Sequence, residues 1–79
     1  MSKGWRWHVG ELTAFLWYDG EVVGDVDLAD TPRGELWVWN VEWNVESASG
    51  ASATRDRAIR DLRAWLATRG VETPEGGTC

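Results

Sequence analysis

The run Glu35-Leu36-Trp37-Val38-Trp39-Asn40-Val41-Glu42-Trp43-Asn44-Val45-Glu46 constrains this chain more than any other stretch. Its odd positions carry Trp37, Trp39, Val41, Trp43 and Val45, while Asn40, Glu42, Asn44 and Glu46 fall on even ones. A period of two sends the two sets to opposite faces of a strand. β-Branched and aromatic residues suit such a pleated, half-buried surface. Three indoles on one face make an apolar slab that needs a cover. The cover lies downstream, where Ala58, Ile59, Leu62, Trp65 and Leu66 recur as one stripe at helical spacing. On this reading Trp37, Trp39, Trp43 and Trp65 are core residues.

The helix has its own punctuation. Thr54 is placed to cap its N-terminus, with Ser52 as the competing cap, and Asp56 falls in the first turn, where negative charge favours the helix dipole. Arg69 reads as its last turn and Gly70 as a left-handed C-cap. Upstream, Trp5-Arg6-Trp7-His8-Val9 alternates as a short strand, Gly10-Glu11 is its turn, and residues 12–18 form a second strand with apolar residues on both faces. Asp19-Gly20 predicts a type I′ hairpin turn. In the return strand, residues 21–28, Val22, Gly24, Val26 and Leu28 share one face; Glu21, Val23, Asp25 and Asp27 share the other. Residues 29–34 are a turn cluster around Pro32 and Gly34, and residues 47–53, all Ser, Ala or Gly, read as a side-chain-poor connection. The expected fold class is α+β: an antiparallel meander of about four strands with one C-terminal amphipathic helix packed on one face. Residues 1–70 form the single domain, and residues 71–79, with Pro74 and Gly76-Gly77, a disordered tail.

Size and composition narrow the function. A chain of 79 residues is one domain and needs a dense core. Cys79 is the only cysteine and His8 the only histidine, so neither an internal disulfide nor a four-ligand zinc site is expected, and no cofactor is implied. Seven Trp supply the density instead. No apolar run has the length of a membrane span and the N-terminus lacks the apolar centre of a signal peptide, so a cytoplasmic setting with no membrane partner is expected.

Catalysis finds little to work with. His8 falls on the strand face opposite Trp5 and Trp7, where a surface role is the simpler reading, and no glycine-rich phosphate loop is present. The expectation is a protein that is not an enzyme. Charge is more telling. The net charge is −5; residues 1–50 hold nine acids against three basic residues, whereas residues 51–70 hold five Arg against two Asp. Glu21, Asp25 and Asp27 on one strand, with Glu42 and Glu46 on another, are the candidate partner-binding residues. Like charges across a sheet oppose folding mildly, yet they speed and orient docking on a basic surface. Solubility alone accounts for them equally well. The alternative is nucleic-acid binding through Arg57, Arg60 and Arg63 with any exposed Trp, which the acidity of the sheet half opposes. A third reading is a structural or assembly subunit that pairs sheet edges, as in a homodimer.

Trp37-x-Trp39-x-Val41, Gly50-Ala51-Ser52-Ala53-Thr54 and the helix through Ala58 together resemble small proteins encoded by bacteriophages and prophages, anti-CRISPR inhibitors among them. The resemblance covers residues 35–69 and carries no residue-level role. It implies an inhibitor that blocks a nucleic-acid-handling complex of a bacterial host, with a protein or ribonucleoprotein of basic surface as partner.

Overall fold

Alternation and turn chemistry turn the chain into five antiparallel strands followed by one helix, in a computed structural model that describes residues 4–73. The strands are β1 (Trp5–Val9), β2 (Thr13–Tyr18), β3 (Glu21–Thr31), β4 (Gly34–Trp43) and β5 (Glu46–Ser52), and α1 is Arg55–Ala67. Their spatial order follows the chain, β1-β2-β3-β4-β5, so the sheet is an uninterrupted meander. The fold is α+β as the patterning predicts, with one strand more than expected.

The additional strand comes from splitting the Trp-rich run. Asn44 and Val45 both take positive φ, 55° and 65°, and reverse the chain between Trp43 and Glu46. Residues 47–51, expected as a bare connection, then pair with β4 across their whole length, from Glu42↔Ser47 to Val38↔Ala51. Asp19-Gly20 makes the expected turn, with φ of 54° and 88°. A second correction lies in β3: the register passes from Leu16↔Gly24 to Trp17↔Val22, leaving Val23 as an extra residue. Such a bulge inverts the alternation beyond it. Val23 packs against the core and Val22 is exposed, the reverse of the expected arrangement.

The helix forms where predicted. Thr54 Oγ1 accepts from the Arg57 N–H at 3.2 Å, Asp56 lies in the first turn, and Gly70 takes φ 77° while the Val71 N–H reaches back to the Leu66 carbonyl. Arg69 falls beyond the helix end at Ala67. α1 lies over β3, β4 and β5. Between them sits an aliphatic core: Ala14, Leu16, Val26 and Val41 from the sheet, and Ala58, Ile59, Leu62 and Leu66 from the helix. Close approach needs glycine at two points. A Cβ on Gly24 would meet Leu62 Cδ1 at 3.0 Å, and one on Gly50 would meet the Trp39 indole at 2.7 Å.

The tryptophans surround this core rather than make it. Trp37, Trp39, Trp43 and Trp65 are half-buried and packed against the aliphatic cluster. Curling of the sheet brings Trp5 of β1 within 4.5 Å of Tyr18 and 5.5 Å of Trp43, ring centre to ring centre, although β1 and β4 are not neighbours. Arg69 stacks on Trp65 at 3.8 Å. Past Gly70 the chain stays attached: Val71 packs on the core and Arg63 holds Thr73 through its hydroxyl and carbonyl. Val71 and Thr73 belong to the segment expected as a tail, and its remainder, 74–79, lies outside the described residues.

Candidate functional site

Covering one face of the sheet with α1 leaves the other bare. Three register rows cross that helix-free face: Arg6↔Trp17↔Val22, then His8↔Phe15↔Asp25↔Asn40↔Ser49, then Thr13↔Asp27↔Val38↔Ala51, with Glu42↔Ser47 beside them. Phe15, Trp17 and Val38 are half-buried among their neighbours, and Val22 is 49% exposed. The face is therefore a mixture of carboxylates and apolar side chains rather than a uniform acidic sheet.

Of the five carboxylates singled out from the sequence, three meet here. Asp25, Asp27 and Glu42 share the helix-free face. Glu21 does not join them, because the bulge at Val23 pairs it with Tyr18, whose ring lies on the opposite side against Trp5 and Trp43. Glu46 is not on that face either. It pairs with Trp43 across the β4–β5 hairpin and forms an ion pair with Arg69, Nε to Oε1 2.8 Å. That contact fastens the C-terminal end of the helix to the start of β5.

Asp25 is the electrostatic focus. Partial burial lifts its carboxyl from 3.8 to about 6, and hydrogen bonding with Asp27 and the negative charge of Asp27 push the same way; a hydrogen bond with Asn40 opposes them. Near neutral pH Asp25 thus holds its charge against both desolvation and the negative charge of Asp27. A positively charged group brought alongside would relieve both. In front of it lies a shallow groove of about 430 Å³, lined by Asp25, Asn40, Glu42, Ser47 and Ser49 over a floor that includes Gly24 and Ala48. Among the described residues, no group of three His, Cys, Asp or Glu side chains is arranged to hold a metal ion. No described helix is long and apolar enough to cross a membrane.

The arginines of the alternative reading are divided. Arg63 is committed to Thr73. Its neighbours are also engaged: Arg55 donates to the Gly10 carbonyl at 2.7 Å and lies over the Trp37 ring, and Arg69 serves Glu46 and Trp65. Arg57 and Arg60 stay exposed on the outer side of α1.

Sequence reasoning missed the apolar half of the face and a cleft beside it. The cleft, about 470 Å³, lies at the β1 margin between Gly4, Trp5, Arg6, His8, Trp17 and Gly20, with the His8 and Trp17 rings 5.7 Å apart. The Trp17 Nε1–H is buried there without a hydrogen-bond partner among the described residues. The signal was present, since β2 carries apolar residues on both faces, and an open sheet face is where the second set ends up. No family model, curated protein or solved structure matches the chain, so the reading of the site rests on its own chemistry.

Proposed function

We propose that this chain is a non-enzymatic binding module, an inhibitor of phage or mobile-element origin that works in the bacterial cytoplasm as anti-CRISPR proteins do. It lays its helix-free sheet face on a basic surface of a nucleic-acid-handling host complex. One observation carries the reading: Asp25, Asp27 and Glu42 are gathered, at an energetic cost, on the one broad face that the fold leaves uncovered. Phe15 and Val38 beside them supply apolar contact, so the surface has the mixed character of a transient protein interface. Two of the four helix arginines, Arg55 and Arg63, and Arg69 just past the helix are occupied within the chain, which weakens the case for a phosphate-binding helix.

The test compares the wild-type protein with Asp27→Lys/Glu42→Lys as baits for nucleic-acid-handling complexes purified from a candidate host. The wild type binds and is released by salt; the charge-reversed variant, with an unchanged circular dichroism spectrum, is not retained. Equal retention of both proteins refutes the acidic-face reading. A low-salt mobility shift of single- or double-stranded oligonucleotides that is abolished by Arg57→Ala/Arg60→Ala replaces it with the nucleic-acid reading.

A further inference from the structure

We infer that the free edge of β5 is a strand-addition site, taking an extended segment of the partner that carries Arg or Lys at alternate positions. The inference rests on the docking reading above and specifies how the partner is held.

The hairpin sets which backbone groups of β5 are free. A two-residue turn at Asn44-Val45 makes Trp43↔Glu46 a hydrogen-bonded pair, and in an antiparallel ladder such pairs alternate. Val41↔Ala48, Trp39↔Gly50 and Trp37↔Ser52 then also bond inward. Ser47, Ser49 and Ala51 direct their N–H and C=O groups away from β4, and all three residues are exposed. The edge is regular, with no register shift along β5. It also lacks the usual guards against pairing, having no Lys, Pro or bulge.

The side chains of β5 point the same way. Those on the helix side are small for visible reasons: Gly50 lies under the Trp39 indole, Ala48 abuts the core, and Ser52 donates to Asp61 at 2.9 Å. Ser47, Ser49 and Ala51 face the uncovered side, where packing sets no limit on size. Ser, Ala and Gly are also weak strand formers. Their smallness costs the sheet stability and leaves the groove between β5 and Asp25 open.

The charges select the occupant. Strands lie about 4.8 Å apart, so Glu42 on β4 is about 10 Å from a strand added beyond β5. An extended Arg or Lys crossing over Ser47 and Ser49 meets a Glu side chain across that span. Pairing of two β5 edges brings another net charge of −5 and, since β5 holds no Lys or Arg, no cation from that strand opposite Glu42, so a basic segment is the better match.

Two short capped peptides alternating Arg with Thr serve as probes, one of them N-methylated at alternate residues so that charge is kept and ladder hydrogen bonding lost. The expected result is low-salt binding of the first, at least about tenfold weaker binding of the second, and weakening of both by Glu42→Gln. The amides of Ser47, Ser49 and Ala51 gain protection from hydrogen exchange when the first peptide binds. Equal binding of both peptides with unchanged exchange at those amides overturns strand addition while leaving charge docking intact. Binding of neither peptide overturns both. Concentration-dependent protection of the three amides without peptide assigns the edge to a second copy and also overturns the inference.

Discussion

Replacing Gly50 by Ala tests how the largest side chains are seated. A Cβ at this position would lie 2.7 Å from Trp39 Nε1 and 2.8 Å from both Cε2 and Cζ2, whereas ordinary contact begins at 3.4 Å. Three ring atoms are struck at once, so the indole must lift or tilt. It is half-buried against the core and has α1 above it, which makes the displacement an overpacking event costing about 1–3 kcal/mol. Ala also restricts the unfolded chain, returning about 0.5–1 kcal/mol. The net loss is roughly 1–2 kcal/mol, which for a domain of this size lowers Tm by roughly 5–15 °C. Thermal unfolding followed by far-ultraviolet circular dichroism measures it. Repeating the substitution in a Trp39→Leu background removes the struck ring, and the penalty should vanish or change sign. An unchanged Tm, or the same loss in both backgrounds, refutes the claim that Trp39 lies across β5.

Val45 sits fully exposed at φ 65°, a conformation that penalises a β-branched residue, so Val45→Gly should stabilise the protein by about 1 kcal/mol in urea titration; no gain would show that the turn is not of this type. Asp25 has a folded-state pKa of about 6 against 3.8, so the stability it contributes is complete below about 4 and is lost as pH rises through 6. Asp25→Asn should therefore be the more stable protein at pH 8, by about 1 kcal/mol after discounting for partial exposure, with the difference closing by pH 4; a pH-independent difference contradicts it. Arg69→Ala removes both the Glu46 ion pair and the stacking on Trp65, and should cost about 1 kcal/mol and shift tryptophan emission to the red. Unchanged emission would place Trp65 elsewhere.

Helix α1 was legible because its stripe, cap and terminating Gly70 all agree, and the Asp19-Gly20 hairpin because its residues tolerate positive φ. The β4–β5 turn was not, since Val45 is among the residues least suited to its own conformation and the alternation of residues 37–45 runs straight through it. β5 was hidden for a related reason: Ser, Ala and Gly carry no strand signal, and its place is fixed by β4 and by the Trp39 ring lying on Gly50. The candidate site was half visible. Period-two reasoning brought Asp25, Asp27 and Glu42 together, but one extra residue at Val23 removed Glu21, and the unseen turn removed Glu46 to a different strand.

On the proposed function, the helix-free face, focused on Asp25, receives a positively charged partner. Carboxyl-carbon NMR titration of Asp25, with and without a saturating arginine-rich peptide, tests it directly. The free protein should titrate near 6 and the bound protein lower, because a cation on the same face favours the ionised form. If the peptide binds and Asp25 still titrates near 6, the cation is held elsewhere and the claim fails.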